Sequence, residues 1–142
     1  EDELAIIDRM SGHAEPPAAV AATEPDKLLE SRRLLDAIYL DDKVKSYIVD
    51  LVHATRDPKE VGLERLGPLL LYGASPRASI ALTRAARANA FLAGRGFVTP
   101  QDVKAIGMMV LRHRVIATYE AEAEDLTSED LLREIFDHVP VP

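Results

Sequence analysis

The sequence contains no cysteine and no tryptophan, and aromatic residues make up only 5% of its 142 positions. Without cysteine there can be no disulfide framework, zinc–thiolate site, iron–sulfur cluster or thiol nucleophile, which predicts a reducing, cytoplasmic location. No apolar run approaches the roughly 20 residues that span a bilayer, and no secretory signal opens the chain, so we expect no membrane insertion. The first residue is Glu1 rather than Met, so we expect that the chain is processed or is cut from a longer one.

Charge is unevenly distributed, with 17 basic and 24 acidic residues and a net charge of −7. Residues 1–72 carry −6, residues 73–116 carry +6 and residues 117–142 carry −7. The basic centre is either matched by the acidic flanks or faces an anion such as a phosphate, and charge alone leaves both interpretations open. An acidic chain with few aromatics is not typical of nucleic acid binding. The hydrophobic content of 47% is too high for a disordered chain.

Apolar spacing predicts helices along most of the chain, and no segment alternates in the period of a strand. The proline-rich segment 11–25 predicts an extended linker. The apolar segment 68–72 is either a buried extended piece or the end of a turn. The predicted fold class is therefore all-α, a small bundle of five or six helices. The predicted helices cover residues 1–10, 26–38, 42–55, 75–93, 99–119 and 127–139.

Few residue patterns in the chain could perform chemistry alone. There is no Gly-rich phosphate loop with Lys and Ser or Thr, and no serine in a nucleophile elbow. The four histidines are scattered, and the spacing of His53 with Asp57 falls at a helix exit before Pro58. We therefore expect no metal site.

The most informative segment is Gly73-Ala74-Ser75-Pro76-Arg77-Ala78. Its Ser-Pro pair predicts a helix start, so Arg77 falls in the first turn, where the helix dipole and unpaired N–H groups favour an acid. An arginine there is explained if an anion shares the site, with the small first two residues keeping the approach open. Arg84 lies on the same helix face, about 10 Å further along. The alternative is an exposed Arg77 that pairs with a carboxylate of the acidic tail.

Residues 73–78 resemble the sensor-2 motif of the MoxR family of AAA+ ATPases, and the resemblance extends along nearly the whole chain. Residues 1–9 resemble the helix that closes the ATPase core of that family, and residues 47–56 resemble its lid helix ending in Ala-Thr-Arg. Gly96-Phe97 and Gln101 depart from the commoner residues, but neither touches the implied nucleotide contact. Further matches in family order are residues 85–88, 94–103, 110–114 and the carboxyl end 139–142.

The resemblance implies two parts, with residues 1–25 as the end of an ATPase-core helix plus a linker and residues 26–142 as a helical AAA+ lid domain carrying sensor 2. Walker A, Walker B, sensor 1 and the arginine finger would precede Glu1. The cofactor would be ATP, with Mg²⁺ held by a core domain that this chain lacks. The fragment alone is then expected to be inactive and to bind no nucleotide tightly.

Particular residues receive roles from the same resemblance. Arg77 would be catalytic, reaching the γ-phosphate of ATP between core and lid, and Pro76 and Ala78 would contact the nucleotide beside it. ATP binding would pull the lid onto the core, and hydrolysis would release it. Arg112 and Arg114 either face a neighbouring subunit or carry ordinary helix-end charge.

The implied partners are the ATPase core of the same chain, neighbouring subunits of a ring taken as a hexamer, and an unidentified client of a chaperone-like remodeller. Arg56 ends a helix, where its default role is structural, capping carbonyls or pairing across the lid. A function of a different class also stays open, a free-standing helical adaptor that binds a protein through its basic helix. The sequence upstream of Glu1 would separate the two.

Overall fold

The computed structural model describes residues 2–11 and 18–142. The chain divides into two compact units, Glu1–Ser31 and Arg32–Pro142. The first unit contains α1 (Asp2–Met10) and most of α2 (Pro25–Leu34), whose last residues belong to the second unit. Residues 12–17 of the predicted linker lie outside the described residues. The assignment of residues 1–25 to an ATPase core stays a prediction.

The second unit is helical, which confirms the predicted fold class. Within the described ranges, the only strands form one short two-stranded ribbon, and no helix is long and apolar enough to cross a membrane. The elements in chain order are a 3₁₀ turn (Leu35–Ala37), α3 (Asp42–Ala54), 3₁₀ turns (Pro58–Val61 and Glu64–Leu69), β1 (Leu70–Tyr72), α4 (Pro76–Leu92), α5 (Pro100–Leu111), β2 (Ile116–Ala117), α6 (Tyr119–Ala123) and α7 (Ser128–His138).

Helix starts follow the local signals in the sequence. The side chain of Asp41 accepts a hydrogen bond of 2.9 Å from the N–H of Lys43 at the start of α3. At α7, Thr127 and Asp130 form a reciprocal capping box, because each side chain accepts a hydrogen bond from the backbone N–H of the other. Such caps satisfy N–H groups that have no partner inside the helix.

The predicted helix over 99–119 is wrong beyond Leu111. The chain turns after α5, buries Val115 and then pairs β2 antiparallel with β1, with Leu70 opposite Ala117. The N–H of Thr118 donates to the carbonyl of Leu69 at 3.0 Å, so backbone groups that a continuing helix would satisfy are paired across the ribbon instead. Segment 68–72 was predicted to be either a buried extended piece or the end of a turn. Its last three residues are extended, but the predicted burial is wrong for Leu71 and Tyr72, which are exposed.

The core of the second unit is apolar and is built from its long helices. Gly107 brings α5 against α7 closely, because a Cβ atom at this position would lie 2.2 Å from Cζ of Phe136. Full burial of a large aliphatic side chain stabilises a fold by about 1.5–3 kcal/mol. Side chains with less than 2% exposure include Ile48 and Leu51 of α3, Leu82 of α4, Leu111 of α5, and Leu131, Leu132 and Ile135 of α7.

One buried carboxylate joins the end of α4 to the start of α5. Asp102 is only 2% exposed and accepts hydrogen bonds from the Arg95 guanidinium at 2.5 and 2.7 Å. The backbone N–H and the hydroxyl of Thr99 each donate at 2.8 Å, as does the amide of Asn89. The Arg95 guanidinium, followed by these other donors, holds the pKa of Asp102 well below its usual range, although burial opposes this shift.

We expect Asp102→Asn to lower the free energy of unfolding at pH 7 by about 3 kcal/mol, because it breaks a buried ion pair. The folded-state pKa of Asp102 is depressed, so this contribution is present above the unfolded pKa of about 3.9 and is lost as pH falls below it. Urea denaturation should therefore show a gap between wild type and variant that closes as the pH falls below about 4. Asp50→Asn, on an exposed carboxylate, is the matched control. A pH-independent gap would contradict the assignment.

Candidate functional site

The candidate site lies at the start of α4, where sequence and structure agree on the helix boundary. Ser75 has extended backbone angles, φ −77° and ψ 167°, and Pro76 is the first helical residue. The Ser75 side chain makes no capping hydrogen bond, although serine was expected at the N-cap because its hydroxyl can accept one from a helix N–H. Its backbone carbonyl instead accepts from the N–H of Ala78 at 2.8 Å. The first turn is therefore set by proline and the backbone rather than by a side-chain cap.

The loop before this helix is fastened to the end of α3. Thr55 is fully buried, and its hydroxyl accepts the N–H of Ala74 at 2.9 Å while donating to the carbonyl of Val52 at 2.7 Å. The guanidinium of Arg56 donates to the carbonyl of Ala74 at 3.4 Å. Two consecutive residues of the Ala-Thr-Arg segment thus satisfy both backbone groups of Ala74. A buried hydrogen-bonded hydroxyl of this kind fixes the spacing of the elements it joins.

Gly73 is needed for this approach of two backbones. A Cβ atom here would lie 2.2 Å from the carbonyl oxygen of Thr55 and 2.7 Å from Cγ of Arg56. The sequence suggested that Gly73 keeps the approach open for a ligand. In the structure, the absence of a side chain at Gly73 also lets the loop pack on the end of α3.

Arg77 projects from the first turn of α4 as an exposed side chain. Within residues 2–11 and 18–142 it forms no ion pair and no side-chain hydrogen bond, so the alternative of a pair with the acidic tail finds no support there. Pro76 is exposed beside it. Ala78 is fully buried, and its side chain belongs to the core.

A groove of about 410 Å³ borders the loop on the side of α3. Its charges balance, with Arg56 and Lys59 opposite in sign to Asp57 and Glu64. Gly73 lines this groove, whereas Arg77 does not. The groove is lined by Thr55, Arg56, Asp57, Pro58, Lys59, Glu64, Gly67, Leu70, Leu71 and Gly73.

Three other arginines singled out from the sequence contact other parts of the chain. Arg112 pairs with Glu129 at 3.4 Å, and Arg114 donates to the carbonyl of Val110 near the end of α5. The Arg114 contact is typical of a cation near a helix end, whereas Arg112 pairs with the first turn of α7. Both roles considered for these arginines stay predictions. Arg56 donates to the carbonyl of Ala74 in the loop before α4. This contact corresponds to pairing across the lid, one of the two structural roles expected for Arg56.

Metal ligands do not converge in the described part of the chain. No group of three or more His, Cys, Asp or Glu side chains there could hold an ion. His53 lies 3.5 Å from the carboxylate of Glu60 rather than pairing with Asp57.

Thr55 is the residue of this site that sequence reasoning missed. It lies within a matched segment, but nothing local marks its hydroxyl as different from any threonine at a helix end. The sequence offered one signal, the pair of small residues Gly73-Ala74, because such a loop can pack closely against another part of the chain.

Comparison with known proteins identifies the family of this chain. The family model of the AAA lid domain matches residues 64–135. The chain belongs to this family. Chaperone MoxR1 of Mycobacterium tuberculosis is 34% identical over 142 residues, all of this chain and 37% of that protein. Protein MoxR of Methylorubrum extorquens is 36% identical over 112 residues, 75% of this chain and 32% of that protein.

A solved structure extends the likeness to three dimensions. The crystal structure of a proposed ATPase from Cytophaga hutchinsonii superposes with a TM-score of 0.92 at 36% identity, covering 99% of this chain and 42% of that one. The lid thus spans about a third of the length of the curated relatives it matches. The chain is a lid domain of the MoxR type of AAA+ ATPase.

We expect Gly73→Ala to lower the free energy of unfolding of the lid by about 1–3 kcal/mol, because the added methyl group overlaps backbone that cannot yield freely. Gly96→Ala is the matched control, since a Cβ atom there meets nothing within 4 Å. Urea denaturation of both variants measures the difference. Equal stability of the two variants would show that the α3 contact does not constrain the loop.

Proposed function

We propose that Arg77 is the sensor-2 arginine of the full-length ATPase and contacts the γ-phosphate of ATP held by the core domain. The observation that supports this role is an exposed guanidinium at the start of a 17-residue helix, with no ion pair in the described part of the chain. The helix dipole disfavours a cation at this end, so the position costs free energy unless an anion offsets it.

The chemistry of the site suits a phosphoryl group. A guanidinium offers a planar fork of donors that matches phosphate oxygens, and it stays charged at any physiological pH. During phosphoryl transfer, negative charge spreads over the oxygens of the γ-phosphoryl group, and a fixed cation stabilises it. Arg77 would supply that cation. Pro76 and Ala78 would border the nucleotide, Ala78 through its backbone because its side chain lies in the core.

The attachment of the loop to α3 supports a role in transmitting nucleotide state. Thr55 and Arg56 hold both backbone groups of Ala74, three residues before Arg77. A pull on Arg77 by bound ATP would therefore move α3 and α4 together rather than bend the loop. The lid would close on the core when ATP is bound and open after hydrolysis.

The whole protein would act as a chaperone-like remodeller, as the name of the mycobacterial relative suggests. We place it in the cytoplasm because the sequence has no cysteine. Its core domain would hold ATP with Mg²⁺, and the active form would be a ring, taken as a hexamer. An unidentified client protein would be its substrate. The 142-residue chain by itself would be inactive, because this lid would supply only one side of the nucleotide site.

We expect Arg77→Ala in the full-length ATPase to lower ATP turnover by about ten- to a thousand-fold, as for other single groups that stabilise transition-state charge. Steady-state ATP hydrolysis measures the effect. The matched control is Arg133→Ala, which removes an exposed arginine paired with Asp130 on α7. Retained turnover in the Arg77 variant, or an equal loss in both, would contradict the proposal.

We expect the isolated 142-residue chain to bind ATP no more tightly than about 1 mM, because one arginine and a helix end offer only a few kcal/mol against the cost of association. Isothermal titration calorimetry with Mg²⁺ and ATP measures this. Micromolar affinity would instead mean that the lid carries a complete nucleotide site.

A further inference from the structure

A second basic feature lies on α4, away from its start. It is a cavity of about 440 Å³ between the end of α2, the 3₁₀ turn at Leu35–Ala37 and the middle of α4. The residues that line it are Arg32, Leu35, Asp36, Arg84 and Arg87, and Arg77 is not among them. The side chain of Leu35 gives one apolar wall. All five residues belong to the second compact unit.

The charges of this cavity do not balance. Three guanidinium groups face one carboxylate, so the lining carries a net charge of +2. Asp36 reaches Arg87 only at 4.0 Å, and its side chain is 91% exposed, so solvent weakens this pair. Within the described residues neither Arg32 nor Arg84 forms an ion pair. Like charges that converge on one cavity repel each other, which an anion would relieve.

Arg87 provides a separate observation. Its side chain is 26% exposed, yet its Nε atom is buried and has no hydrogen-bond partner among the described residues. Buried donors in proteins are nearly always satisfied, because leaving one unpaired costs free energy. Because this atom is inaccessible to solvent, an oxyanion in the cavity would satisfy it only through a shift of the Arg87 side chain on binding.

We propose that this cavity binds a phosphate-class dianion, either the free ion or an exposed phosphoryl group. A charge of −2 matches the net charge of the lining, whereas a single carboxylate would leave one positive charge unmatched. The concave shape favours a compact anion over a broad acidic protein face. Arginine is also the side chain best suited to phosphate, because its fork of donors binds two oxygens at once. The site is independent of the role proposed for Arg77.

The test is a phosphate titration of the ¹⁵N-labelled 142-residue chain at constant ionic strength, following the arginine Nε–Hε signals by NMR. We expect a saturable shift of the Arg87 signal with a dissociation constant on the order of 1 mM. Arg84→Gln, followed through the Arg87 signal, and Arg87→Gln, followed through the Arg84 signal, should each weaken binding about tenfold, as expected for loss of a charge-assisted hydrogen bond. Circular dichroism reports folding, and if the Arg87 variant fails to fold, the exposed Arg84 carries the comparison.

A control variant and two further ligands complete the experiment. Arg133→Gln, on α7, should bind phosphate as wild type does. O-phosphoserine that shifts the Arg87 signal as phosphate does would assign the site to phosphoryl groups, and a response to inorganic phosphate alone would assign it to the free ion. The absence of a saturable shift, or unchanged affinity in Arg84→Gln, would overturn the proposal. Tighter binding of a glutamate-rich peptide than of phosphate would overturn it in favour of protein docking.

Discussion

The hydrogen bond between the Thr55 hydroxyl and the Ala74 amide sets the geometry on which the candidate site depends. It joins the end of α3 to the loop before α4 inside the core, where neither group can exchange its partner for water. The loop can approach this closely only because Gly73 has no side chain. The direction in which α4 leaves the loop, and with it the position of Arg77, follows from this contact. A surface arginine thus takes its orientation from a buried threonine.

Much of the fold follows from local signals that are legible in the sequence. The Ser-Pro and Thr-Pro pairs mark the starts of α4 and α5, and the acidic cap marks the start of α3. The end of α5 could not be predicted from such local signals. Residues 112–119 contain no proline or glycine, and their partner strand lies far away in the sequence. Val115, Ile116, Thr118 and Tyr119 are residue types that favour strands, but so short a run cannot be distinguished from the end of a helix by its spacing.

The residues of the candidate site also differ in whether local sequence predicts them. Arg77 could be found from sequence because its neighbours fix its place in the first turn. Thr55 could not, because its importance lies in a contact nineteen residues along the chain. The arginine cavity combines residues that helix spacing places together with residues that only the tertiary fold brings near them. Arg84 and Arg87 share a helix face by their spacing, but only the folded chain brings Arg32 and Asp36 to the same cavity.

The ribbon of β1 and β2 has a consequence for how the lid assembles. The Thr118 hydroxyl donates to the carbonyl of Pro68, and these two residues are 50 positions apart in the chain. All of α4 and α5 lies in the loop that this ribbon closes. Closing so long a loop in an unfolded chain costs entropy, which the stacked helices reduce by bringing its ends together. We therefore expect the two-stranded ribbon to form after the helical hairpin that it encloses.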